Sequence, residues 1–185
     1  MFAFERSGTQ YVLRPEITAP VVRSFLQHHL DQRGGVQKLF YLGPCFRAEK
    51  PQKGRYRQFH QFGIEILGAD EARADAETIA VLMAICEALG LSDLRLLLNT
   101  LGTPERRAEY VEALQDYLAP HADELSETSQ RRLERNPLRI LDTKIEHEQK
   151  ILRDAPQLID FVGEKSLVHY DEVKRHLDGL GIEYE

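Results

Sequence analysis

Between Arg47 and Arg57 the chain carries five cations (Arg47, Lys50, Lys53, Arg55 and Arg57) against one anion, Glu49. The local balance is +4 in a chain of total −6, which leaves −10 elsewhere. Pro51 and Gly54 mark a turn inside this run, and aromatic residues follow at once. A guanidinium fork grips phosphate oxygens, and a flat ring such as Phe59 stacks on a purine. Gln61 and Glu65 suit a small amino-bearing or cationic ligand. Together these groups fit ATP beside an amino acid. The plainer alternative is a surface hairpin whose arginines form rim ion pairs worth about 0–1 kcal/mol each.

Side chains alternate across a strand, so spacing says which of these groups share a surface. If residues 55–67 are extended, Arg55, Arg57, Phe59, Gln61, Gly63 and Glu65 face one way. Tyr56, Gln58, His60, Phe62, Ile64 and Ile66 face the other, with the Phe/Ile end turned toward a core. The first set makes a poor core face and a good floor for a polar ligand, with Gly63 leaving room. Upstream, Phe40, Leu42 and Phe46 fall on one face, and Tyr41 and Cys45 on the other with Arg47 and Glu49. Two antiparallel strands joined by the basic loop would present one continuous polar surface.

Phe46-Arg47-Ala48-Glu49, followed by the loop from Gln52 to Gln61 (QKGRYRQFHQ), resembles motif 2 of class II aminoacyl-tRNA synthetases, and in its wording the histidyl-tRNA synthetase family. Leu13-Arg14-Pro15-Glu16-Ile17-Thr18 is similar to that family's LRPEGT segment, with Ile17 where Gly is usual. Residues 136–142 and 154–156 resemble its helical insertion region. An FRxE tetrapeptide alone would be weak; three matches in order over nearly the whole chain are specific.

The resemblance implies an α+β fold: part of an antiparallel-sheet class II catalytic core with a helical insertion domain. It assigns Arg47 to the α-phosphate and the substrate carboxylate, as the catalytic residue. Glu49 would help hold the adenine end of ATP, Arg55 would reach the terminal phosphates, and Phe59 would stack on the adenine. Glu16, Thr18, Gln61 and Glu65 would line a histidine pocket with Arg47. The implied reaction joins histidine to ATP as histidyl-adenylate, with Mg²⁺ on the pyrophosphate oxygens, and transfers histidine to tRNA(His). A cytoplasmic homodimer is the family's form. Two other readings stay open: a noncatalytic relative such as the regulatory subunit of ATP phosphoribosyltransferase, and an interaction module whose hairpin binds an acidic partner.

No first motif, third motif or RGLDYY segment is found in these 185 residues. The expectation is therefore part of a longer enzyme, with little aminoacylation of its own. At 42% hydrophobic the chain can bury a core. It has no apolar run of membrane-spanning length and no signal-like start. Cys45 and Cys86 form no disulfide framework, the seven histidines form no metal site, and no GxxxxGK loop is present. His60 falls opposite Phe59 and Gln61, as a structural residue beneath the sheet.

The supporting elements follow from periodicity. Thr18 is a candidate N-cap for a helix carrying Val22, Phe25, Leu26 and Leu30. Residues 75–89 read as a helix with Ile79, Leu82, Met83, Cys86 and Leu89 inward, closed by Gly90. Residues 94–99 form a strand-length apolar run expected to join the sheet. Thr103-Pro104 opens a helix burying Tyr110, Val111, Leu114, Tyr117 and Leu118. Arg131, Arg132, Arg135 and Arg139 read as a solvated helix face, the alternative being the contact with the tRNA acceptor stem that the resemblance implies for the insertion region. The final helix through Val173, Leu177 and Leu180 is followed by a strand through Ile182 and Tyr184. The expected organisation is a core over residues 1–102, an insertion over 103–165, and a return to the core over 166–185.

Overall fold

A Ser7-Gly8 pair with positive φ at both residues (53° and 75°) turns the chain tightly at its start. It joins β1 (Ala3–Arg6) to β2 (Thr9–Val12) in a two-residue hairpin, the geometry that matches strand twist. The computed structural model describes all 185 residues and divides them into two compact units, Met1–Ser92 and Asp93–Glu185. It is an α+β molecule with six α-helices and two separate two-stranded antiparallel sheets. The division falls after Ser92 rather than after residue 102, and residues 166–185 lie in the second unit.

In the first unit, β2 leads through the Leu13–Thr18 segment into α1 (Thr18–Gln27). The cap differs from expectation. Ile17 is the N-cap residue and Thr18 the first helical residue, while the Glu16 carboxylate accepts the Ala19 N–H at 3.0 Å. A carboxylate there also faces the positive end of the helix. Phe25 and Leu30 are half-buried, whereas Val22 and Leu26 are exposed.

The long ribbon pairs β3 (Gln37–Phe46) with β4 (Gln58–Leu67) over ten residues each. Its register sets Tyr41 opposite Gly63, Gly43 opposite Gln61 and Cys45 opposite Phe59. Cross-strand partners share a face, so all six lie on one side, as alternation predicts. The other side departs from expectation. Phe40 and Leu42 are 83% and 73% exposed and Phe62 is 44% exposed, so this end does not turn into a core of its own unit. Ile64 and Ile66 are half-buried where α2 (Ala72–Ala88) packs against β4, and Lys38 pairs with its Glu77 at 2.5 Å. Ala72 and Ala76 are buried and Ile79, Met83 and Cys86 half-buried, but Leu82 and Leu89 stand exposed.

The second unit holds the larger core. α3 (Pro104–Leu118) starts with proline in its first turn and Thr103 as N-cap, its hydroxyl accepting the Arg106 N–H. Tyr110, Leu114 and Leu118 are buried and join Leu125, Ile140 and Ala155 in one cluster. α4 (Glu127–Arg135) stops before Asn136-Pro137, and a 3₁₀ turn leads on to α5 (Glu146–Leu152). α6 (Glu164–Gly179) buries Val173 and Leu177, while Leu180 is exposed. Residues 94–99 are not a strand of the ribbon. Their backbone meets the chain end instead, Leu98 N–H to Glu185 O and Glu185 N–H to Leu96 O, both at 2.9 Å. The expected strand through Ile182 and Tyr184 reduces to this pair of bonds.

Glu148 of α5 is fully buried without a cation beside it. Its Oε1 accepts the Ser126 N–H at 2.8 Å, and its Oε2 accepts the Ser129 hydroxyl at 3.0 Å and the Thr143 hydroxyl. Burial pushes this carboxyl up, but the bonds from Thr143, Ser126 and Ser129 outweigh it and hold its pKa below the usual carboxylate value. One side chain thus ties the start of α4 to the turn before α5.

Candidate active site

Arg47 lies just past the end of β3, where three elements converge. The Leu13–Pro15 segment runs alongside: Phe46 N–H bonds Arg14 O at 2.9 Å, and Arg14 Nε bonds Pro44 O at 2.8 Å. Arg47 N–H bonds Arg57 O at 2.8 Å, its Nε bonds Pro15 O at 3.0 Å, and its guanidinium stacks 4.9 Å from the centre of the Phe59 ring. Backbone, carbonyl and ring therefore fix the fork and leave its terminal nitrogens for a ligand. Cation–π contact of this kind contributes about 0.5–1 kcal/mol where exposed.

The basic loop is a turn, not a strand extension. Gln52 and Arg55 exchange backbone hydrogen bonds around Lys53-Gly54, and β4 begins only at Gln58. Arg55 and Arg57 consequently take their directions from the turn; Arg57 Nε bonds Glu49 O at 3.5 Å. Arg47, Glu49, Arg55 and Phe59 line one open cavity of about 520 Å³ with Lys50, Gly54, Tyr56 and His60. Three cations face one carboxylate there, a polarity suited to a polyphosphate. His60, expected beneath the sheet, is exposed at the edge of this cavity because the ribbon's outer face is open.

On the same face, one hydrogen-bonded chain links candidate residues from two elements. Gln61 Nε2 donates to Tyr41 Oη at 3.0 Å, Tyr41 Oη lies 3.4 Å from Thr18 Oγ1, and the buried Cys45 thiol donates to Gln61 Oε1 at 3.7 Å. Gly63 makes this possible. A Cβ there would meet Tyr41 Cζ and Oη at 2.3 Å, so the space expected for a ligand is filled by the tyrosine ring. Gly63→Ala must push that ring aside, a rearrangement costing about 1–3 kcal/mol. The expected result is a lower denaturant midpoint and loss of the Thr18–Tyr41 bond; unchanged stability would refute the contact.

The remaining candidates are less gathered. One Glu16 oxygen is engaged in capping α1. Glu65 stands four residues beyond Gln61, about 13 Å along the strand. It lines a separate groove with Lys38, Phe40, Ile64 and Glu77. Ile17 has φ −123°, which any residue adopts, and its side chain is buried against the Gly43 backbone, so this position needs no glycine. Tyr41 and Arg14 were not singled out from the sequence. The signal for Tyr41 was the period-2 face that it shares with Gln61.

The family model described as histidyl-tRNA synthetase matches residues 2–183. The chain belongs to the histidyl-tRNA synthetase family. Curated members similar to it include the histidine-tRNA ligases of Thermosynechococcus vestitus, 51% identical over 186 residues, and Levilactobacillus brevis, 48% identical over 188. In both cases all of this chain matches 44% of the relative. The crystal structure of the apo histidyl-tRNA synthetase of S. aureus aligns with a TM-score of 0.74 and 39% identity, covering 100% of this chain and 43% of that one. This synthetase-family chain thus spans less than half the length of the relatives it matches, and its fold is that of the matching part of a class II catalytic region. No helix is long and apolar enough to cross a membrane.

Proposed function

We propose that this chain supplies the ATP and histidine subsites of a histidine-tRNA ligase. The observation that carries the reading is the convergence of Arg47, Glu49, Arg55 and Phe59 on one cavity beside the Thr18–Tyr41–Gln61 chain, in a member of this family. The histidine carboxylate attacks the α-phosphorus of ATP, the bond to pyrophosphate breaks, and histidyl-adenylate results. A hydroxyl at the 3′ end of tRNA(His) then attacks the carbonyl carbon of the adenylate, forming the ester as the anhydride bond breaks and AMP leaves. No protein nucleophile is required.

Arg47, immobilised by Pro15 and Phe59, meets the α-phosphate and the attacking carboxylate, holding two anions together and stabilising charge as it builds. Arg55 reaches the terminal phosphates, Phe59 stacks on adenine, and Glu49 holds the adenine end. Gln61, Thr18 and Glu16 read the amino group, and Glu65, two alternations further along the same face of β4, reaches back toward the imidazole. A pocket that hydrogen-bonds such groups rejects analogues lacking them, because its own polar atoms would be left unpaired. Mg²⁺ would enter with ATP as part of the substrate, offsetting the charge of its phosphates. The reading places a homodimeric enzyme in the cytoplasm.

Calorimetric titration tests it. Heat with MgATP and with L-histidine, and none with other amino acids of similar size, is expected. Indifference to both ligands would refute the proposal and favour an interaction module.

A further inference from the structure

We infer that Tyr41 and Cys45 are positioning residues that lock the side-chain amide of Gln61, carbonyl toward Phe59 and NH₂ toward Tyr41, so that the site reads the ammonium group of an α-amino acid. The inference rests on the reading of this face as an amino-acid site.

A glutamine amide has two orientations of nearly the same shape and opposite hydrogen-bonding sense, so its neighbours decide which is populated. Here the thiol sets the sense: sulfur is a poor acceptor, so the buried Cys45 S–H favours the amide carbonyl, and the Tyr41 hydroxyl, able to donate or accept, takes the NH₂. The Cys45 thiol is fully buried and donates to Gln61 Oε1, and the NH₂ donates to Tyr41 Oη, whose own proton can pass to Thr18 Oγ1. Register aims the result: Cys45 is opposite Phe59 and Tyr41 opposite Gly63, with Gln61 between them. The carbonyl therefore points along the face toward Phe59 and Arg47.

That places an acceptor with a spare lone pair on the Arg47 side of Gln61. Acceptor and guanidinium together match the ammonium and carboxylate that an α-amino acid carries on one carbon. A flipped amide would set N–H donors beside a cation, which an ammonium group cannot use. Tyr41 touches no ligand in this scheme; it acts through Gln61, and Gly63 leaves its ring the space to do so.

The test compares L-histidine with 3-(imidazol-4-yl)propionate, which lacks only the ammonium group, by titration of the full chain. Tyr41→Phe and Cys45→Val are expected to weaken histidine binding about 5- to 10-fold, the range of one to two lost hydrogen bonds. Binding of the des-amino analogue should change less than about twofold, and Cys45→Ser, which keeps a donor, should retain most of the preference. Equal losses for both ligands, or no loss for either, would overturn the inference. A ligand-free readout separates it from the parent reading. The Gln61 NH₂ resonances, identified by their loss in Gln61→Leu, should be dispersed and slow to exchange in the wild type and collapse to free-amide positions in Tyr41→Phe. Free-amide behaviour in the wild type would refute the lock. A locked amide in a chain indifferent to histidine would sustain the lock and sink the amino-acid reading.

Discussion

Arg47→Ala is expected to weaken MgATP binding by about 10- to 100-fold, the range for losing charge-assisted bonds to phosphate. The size follows from how the side chain is held. Pro15 O fixes its Nε, Arg57 O fixes its backbone, and the Phe59 ring lies under its guanidinium, so little ordering remains to be done on binding. Arg47→Lys should recover only part of the affinity, because an ammonium group cannot bond Pro15 and two phosphate oxygens in one plane. Arg73→Ala is the control. It removes the same charge from the same unit, from an exposed pair 3.6 Å from Glu71, and should leave the affinity within about twofold. Calorimetry on the three variants checks this; similar losses for Arg47 and Arg73 would reduce the site to a diffuse basic patch.

The second large effect lies far from that chemistry. Glu148→Ala removes the acceptor shared by Ser126 N–H and the Ser129 and Thr143 hydroxyls, leaving buried donors unpaired and a cavity beside them. A loss of about 3–4 kcal/mol is expected in chemical denaturation of the chain. Its pH dependence has a definite sign. The folded pKa is depressed, so the stabilisation is fully present above the ordinary carboxylate pKa and is lost as pH falls through the folded value. The stability difference between wild type and Glu148→Gln should accordingly shrink below about pH 4.3. A difference that grew on acidification would show that the carboxyl is protonated in the folded state.

What could be read from residues alone was whatever local periodicity decides. The ribbon, its polar face, the Thr103-Pro104 helix start and the Tyr110–Leu114–Leu118 stripe all follow from spacing. Departures arose where a group's partner is distant in sequence. Ile17 took the N-cap position expected for Thr18, and the Glu16 carboxylate accepts the Ala19 N–H in the first turn. Residues 94–99 met Glu185 rather than the ribbon. Gly63 was read as space for a ligand, and only the cross-strand register shows that Tyr41 lies across it. The first hairpin passed unnoticed, although Ser7-Gly8 between alternating residues is a turn signal. Glu148 could not have been told from a surface acid, since its donors sit 5, 19 and 22 residues away.

The central claim is that one face of the ribbon between β3 and β4 seats a nucleotide and an amino acid side by side. A crystal structure of the chain with a non-hydrolysable histidyl-adenylate analogue tests it most directly. The account predicts the adenine on Phe59, the phosphate surrogate within hydrogen-bond reach of Arg47, and the ammonium group at Gln61 Oε1. An analogue bound along the exposed Phe40, Leu42 and Phe62 side, or seated without contact to Arg47, would contradict it.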